Sequence, residues 1–223
     1  MIDIKDMMAV PDLSDLPEGL IKDKEGLSRF LEVRNLYKAA IKEVSTKMDI
    51  LDDEFRVRND YNPIHSMEAR LKSVDSIVEK LGRRGLPISL DGMQSLMDIA
   101  GIRVICNYLD DIYKIEDLVL RQSDIELVKK KDYIANPKET GYRSLHLVLL
   151  VPVFLAERTE RVPVEIQIRT IAMDTWASLE HELKYKRSGS EIGESDREEL
   201  LACAKAMKDI DDRMQRIHKK AMA

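Results

Sequence analysis

The stretch Val164-Glu165-Ile166-Gln167-Ile168-Arg169 alternates apolar and polar side chains without a break. In an extended chain successive side chains point to opposite faces, so Val164, Ile166 and Ile168 share one face and Glu165, Gln167 and Arg169 the other. Such a strand covers a hydrophobic core on one side and presents a carboxylate, an amide and a guanidinium on the other. Outward from it, the runs Ile102–Cys106, Ile125–Val128 and Ser144–Val151 join Val162–Ile168 as short apolar or alternating segments bounded by turn-forming residues. They are expected to be strands.

Helical spacing dominates elsewhere. Leu27, Phe30, Leu31, Leu36, Ala40 and Val44 predict an amphipathic helix from Leu27 to about Leu51, with a break at Asn62-Pro63. A second helix is expected from about Ser66 to Leu81, ended by Gly82, Gly85 and Pro87. Further helices are expected from Asp110 to about Leu120, from Ile171 to Lys186, and from about Ser195 onward, the last burying Leu200, Cys203, Met207, Ile210, Met214 and Ile217. The fold class that follows is α+β, a mixed sheet of about five strands flanked by helices. Residues 1–25 mix Asp, Glu and Pro with few apolar anchors and read as an arm, loosely packed or docked on a partner subunit. Residues 26–187 form the main domain, and 188–223 a C-terminal helix packed on it or placed at an oligomer interface.

Composition narrows the function. A net charge of −5 gives no global attraction to DNA or an anionic membrane, so a polyanion must be gathered by a local basic pocket, and RNA is not indicated. No apolar run approaches about 18 residues, and the acidic N-terminus lacks the regions of a signal peptide, so a cytoplasmic protein without a membrane partner is expected. Cys106 and Cys203 lack the spacing of a zinc or redox motif and read as buried thiols.

Asp98 stands at the entrance to an apolar strand in Met97-Asp98-Ile99-Ala100-Gly101. With Glu165 on a neighbouring strand it offers two carboxylates able to hold Mg²⁺ and to take a proton from a hydroxyl, as phosphoryl or pyrophosphoryl transfer requires. Taken alone, the pair is weak evidence, since a strand with alternating charges more often merely faces solvent. The loop Asn136-Pro137-Lys138-Glu139-Thr140-Gly141-Tyr142-Arg143-Ser144-Leu145-His146 leads into a strand and combines Lys138 and Arg143 for phosphate, Tyr142 as a stacking platform and Gly141 for an unusual backbone angle. Arg70, Lys72, Lys80, Arg83, Arg84 and Arg103 form a further basic set suited to a purine and its phosphates, or to a solvated helix face.

Three ordered motifs, Met97-Asp98-Ile99-Ala100-Gly101-Ile102-Arg103, Lys138-Glu139-Thr140-Gly141-Tyr142-Arg143-Ser144-Leu145-His146 and Val164-Glu165-Ile166-Gln167-Ile168-Arg169-Thr170, resemble the synthetase domain of the RelA/SpoT homologues. The segment Trp176–Lys186 is similar to the helix that follows in that family, and the resemblance runs from about residue 27 to about residue 217. No His-Asp pair occurs, so the hydrolase of the bifunctional members is not expected, and the chain looks like the stand-alone small alarmone synthetases. The resemblance implies a nucleotidyltransferase-like sheet in residues 26–187, the bacterial stringent response as setting, and transfer of pyrophosphate from ATP to the 3′-hydroxyl of GDP or GTP, releasing AMP.

By the same resemblance, Asp98 and Glu165 would be the catalytic and Mg²⁺-holding carboxylates. Arg70 and Arg103 would sandwich adenine, with Lys72, Ser76, Lys80 and Arg83 (or Arg84) along the donor phosphates. Tyr142 would stack on guanine, with Lys138, His146 and Gln167 around the acceptor's ribose and phosphates. Asp174 stands where many small members have Asn, and its carboxylate would accept from both N1–H and N2–H of guanine. A homo-oligomer, tetrameric by the resemblance, is expected. Two other functions stay open on the sequence: a catalytically silent nucleotide- or RNA-binding regulator, and a nucleotidyltransferase with another acceptor.

Overall fold

The structure is a computed structural model that describes residue 21 and residues 23–58, 61–186 and 193–222. The expected N-terminal arm falls almost wholly outside the described residues. The elements run α1 (Lys24–Arg58), β1 (Ile64–Leu71), α2 (Val74–Arg83), α3 (Leu90–Gln94), β2 (Ala100–Cys106), α4 (Leu109–Leu120), β3 (Glu126–Asp132), β4 (Leu145–Phe154), β5 (Thr159–Thr170), α5 (Ile171–Lys186) and α6 (Glu194–Ala221). The strands form one sheet in the order β1-β2-β5-β4-β3. Only the β2–β5 pair is parallel, so the sheet is mixed as expected.

The opening hexapeptide lies in β5, the middle strand. Val164, Ile166 and Ile168 are fully buried, with Ile102 and Val104 of β2 and Leu145, Leu147 and Leu149 of β4 beside them. Phe30, Ile41, Val44 and Met48 of α1 and Ile112 and Ile115 of α4 complete the same core. Burial of this apolar area is the main force holding the sheet to its helices. The opposite, polar side of β5 is thereby left to form a cleft.

Four expectations need correction. Residues 64–71 are not the start of the second helix but strand β1, antiparallel to β2, with Met67 and Ala69 buried and Glu68 and Arg70 exposed. That alternation is period two, and the true helix begins after Ser73, whose hydroxyl accepts the backbone N–H of Ser76. The short helix α3, capped by Ser89, lies in a stretch for which no element was expected. Strand β3 runs on through Lys129-Lys130-Lys131 to Asp132, because an edge strand pairs through its backbone and its lysines can project into water. Finally, Cys106 is buried but Cys203 is exposed, as are Ile210, Met214 and Ile217. The face of α6 that turns inward is Ala204, Asp211 and Gln215, flanked by Leu200 and Met207.

Candidate active site

The registers bring the polar residues of β1, β2, β4 and β5 together. Gly101 pairs with Arg70 on one side and Glu165 on the other, Arg103 with Glu68 and Gln167, and Gln167 with His146. Glu68, Arg70, Lys72, Asp98, Gly101, Arg103, Glu165 and Gln167 line one cleft across the sheet. A glycine at 101 keeps the floor open between Arg70 and Glu165.

Asp98 precedes β2 and is approached by two ammonium groups. Lys72 donates to its Oδ2 at 2.5 Å, and Lys80 of α2 donates to the same oxygen. Burial pushes the Asp98 carboxyl upward, but the two lysines outweigh it and hold the group below its ordinary range. Its Oδ1 is buried without a hydrogen-bond partner. An orphaned carboxylate oxygen is costly unless a cation or donor completes it, and in a basic, carboxylate-bearing cleft it fits a hard divalent ion. Asp98 with Glu165 gives two oxygen donors, which suits Mg²⁺ completed by water and phosphate oxygens. No group of three His, Cys, Asp or Glu side chains among the described residues offers a fuller cage.

Glu165 is held from two sides. His146 Nδ1 lies 3.2 Å from Oε1, and Gln167 donates to Oε2 at 2.8 Å. Tyr142 Oη lies 2.8 Å from His146 Nε2 and accepts from Arg169 at 2.7 Å. Arg169 can only donate, so against a neutral ring the tyrosine's own proton points to Nε2 and Nδ1 carries the ring proton; a charged ring is protonated there too, so Nδ1–H faces the carboxylate in either state. A chain of hydrogen bonds therefore runs from Arg169 through Tyr142 and His146 to Glu165. Burial raises the Glu165 carboxyl, but the hydrogen bond and charge of His146, with Gln167, prevail and hold it below its ordinary range.

The other half of the site is aromatic and basic. Tyr142 packs edge-on against Tyr133 and His146, and Lys138 Nζ sits 4.5 Å from the centre of the Tyr142 ring. Gly141 has φ +89°, as the loop was expected to require. Asp174, in the first turn of α5, accepts from Arg169 at 3.0 Å, and Arg103 Nε lies 3.6 Å from the same oxygen.

Among the expected residues, Asp98, Lys72, Arg70, Arg103, Glu165 and Gln167 line the cleft, and Lys80, Tyr142, Lys138, His146 and Asp174 adjoin it through direct contacts. Ser76 and Arg83 do not line it. Ser76 bonds to Ser73 within α2, and Arg83 faces Glu79 of its own helix at 3.6 Å and is largely exposed. Arg169 is the residue given no role in the sequence that contacts most of the site, touching Tyr142, Gln167, Asp174 and Ser144. Alternation in β5 had already placed it on the cleft face. Tyr133 and Glu68 were also missed, and neither stands in a stretch that signals a site.

The sequence pattern of the region found in RelA / SpoT proteins matches residues 69–190. The chain belongs to the RelA/SpoT family. Among RelA/SpoT relatives, the GTP pyrophosphokinase YwaC of Bacillus subtilis is 43% identical over 185 residues, covering 82% of this chain and 88% of its own. The small alarmone synthetase 1 of Bacillus subtilis, solved bound to its product pppGpp, superposes with a TM-score of 0.81 at 37% identity over 90% of this chain and all of that one. The same enzyme bound to AMPCPP gives a TM-score of 0.74 at 34% identity over 90% of this chain and 99% of that one. The α+β architecture with its five-stranded mixed sheet is thus that of a RelA/SpoT synthetase.

Proposed function

We infer that the chain is a (p)ppGpp synthetase, transferring the β,γ-pyrophosphate of ATP to the 3′-hydroxyl of GDP or GTP with release of AMP. The observation that carries this reading is the placement of two carboxylates, Asp98 and Glu165, in a cleft with arginines and lysines on one side and the Tyr142 platform on the other. The names and bound nucleotides of the relatives agree with it. A silent regulator needs neither carboxylate.

In the mechanism the acceptor 3′-oxygen bonds to the β-phosphorus of ATP, the bond from that phosphorus to the α–β bridging oxygen breaks, and AMP leaves with the electron pair. Glu165, ionised and oriented by His146 and Gln167, takes the 3′-hydroxyl proton. Arg70 and Arg103 hold the adenine, and Lys72 and Lys80 turn from Asp98 to the donor phosphates. Mg²⁺ held by Asp98 with Glu165 would neutralise the charge that builds on the transferred group. Positioning and charge neutralisation supply most of the acceleration.

Asp174 sets the preference for guanine, since Arg169 holds one of its oxygens and leaves the other for the base. An acceptor screen tests this. GDP and GTP should react and ADP and CDP should not, and Asp174→Ala should narrow that gap by about tenfold or more. An unchanged preference in Asp174→Ala removes the assignment. A cytoplasmic location and a tetramer complete the proposal. No described helix is long and apolar enough to cross a membrane, and Leu179, Leu183, Ile210, Met214 and Ile217 stay exposed on α5 and α6.

A further inference from the structure

We propose that Asp211 of the C-terminal helix α6 is a positioning residue for the acceptor nucleotide, acting through Arg143 and Thr170. The proposal rests on the synthetase reading above, and it concerns a helix that lies beyond the matched family region, which ends at residue 190.

Asp211 is buried, 8% exposed, and so is its partner Arg143 at 8%. Arg143 Nη1 lies 3.4 Å from Asp211 Oδ2, and the hydroxyl of Thr170 donates to that same oxygen at 2.9 Å. Both partners adjoin acceptor-site residues. Arg143 follows Tyr142 in the loop. Thr170 closes β5 next to Arg169, and its Oγ1 accepts the backbone N–H of Met173, which caps the first turn of α5 where Asp174 stands. One carboxylate on α6 therefore ties the stacking platform to the residue that would read the base, across separations of 68 and 41 residues.

The packing around this link leaves the loop no slack. A Cβ on Gly141 would lie 2.5 Å from Ala204 Cβ and 3.3 Å from Leu201 Cδ1, so the loop backbone rests directly on α6. Trp176 of α5 donates to the carbonyl of Leu200 at 2.9 Å. At its far end α6 is anchored to α4, where Gln215 accepts from the backbone of Asp110 and His218 stacks on Tyr108. The helix is thus fixed at both ends, with Asp211 between them. Removing one partner of such a buried pair leaves the other uncompensated, so the link is costly to break.

The test uses the full chain with Asp211→Asn, which keeps volume and one acceptor oxygen, and Ala204→Val, which presses a branched side chain toward Gly141 without touching the charge pair. For each, steady-state KM values for GDP and for ATP are measured, together with calorimetric binding of GDP and of a non-hydrolysable ATP analogue, and the melting profile. Both variants should raise KM and Kd for GDP by about tenfold, leave those for ATP within about twofold, and melt cooperatively. Equal losses for both nucleotides in proportion to lost stability, or unchanged GDP affinity, would overturn the proposal. Failure of the synthetase reading looks different, since the unsubstituted protein would then release no AMP whatever its affinity for GDP.

Discussion

At the scale of single residues the account rests on Glu165. Its carboxyl lies below the ordinary glutamate range, so it stays ionised at neutral pH, and in the proposed role of base it would be lost only when pH falls through that lowered value. Synthesis should therefore hold level from neutrality down through the usual carboxylate range and fall on an acid limb below it, measured as initial rates at constant free Mg²⁺. The sign for stability is the same: a depressed folded pKa contributes stability above the unfolded value, and that contribution disappears as pH drops. Glu165→Gln should lower kcat by roughly 10²–10⁴-fold. The variant should still fold and melt cooperatively, because the amide keeps the volume of the carboxylate and its oxygen can still accept from His146 or Gln167, although its NH2 then faces the other donor. Substantial turnover in a folded Glu165→Gln protein would show that another group takes the proton.

At the scale of elements, the helix α2 and the strand β5 illustrate what a sequence discloses. Ser73 caps α2 and precedes the turn that carries Ser76, with Lys80 reaching Asp98 two turns on. Ser73→Ala should cost about 1 kcal/mol of stability, read as a lower denaturant midpoint. A cost near zero would mean that water satisfies the helix end equally well. The cap also marks where the sequence reading went astray. Apolar residues at Met67, Leu71, Val74 and Val78 fit a helical stripe, and the alternation Met67, Ala69, Leu71 that belongs to β1 is hidden within it. Strand β5, by contrast, was legible because six residues alternate without interruption and only one structure uses that period. Asp98, Glu165 and the loop at Lys138–His146, the candidate site, could be located in the sequence because they stand in contiguous motifs, and the structure brings them together at one cleft. Arg169 was placed on the correct face but given no role, because its partners Tyr142, Gln167 and Asp174 meet only in three dimensions. Asp211 left no trace, since an acid in a charged helix reads as solvated until the loop is seen to rest on it.

At the scale of the whole molecule, exposed apolar side chains remain unexplained by one subunit. Leu179, Leu183, Ile210, Met214 and Ile217 are each about half exposed, although the sequence reading had placed the last three on a buried face. The proposed assembly with further copies would cover them. Sedimentation should give a multiple of the 25.7 kDa chain mass, and Ile210→Lys should shift it toward the single chain; a monomer in the parent protein would contradict this.

The central claim is pyrophosphate transfer, and one measurement meets it directly. The purified protein is incubated with ATP, Mg²⁺ and either GDP or GTP, and the nucleotides are separated by anion exchange. AMP and a guanosine tetra- or pentaphosphate should appear in equal amounts; a folded protein that binds both nucleotides yet releases no AMP would contradict the account.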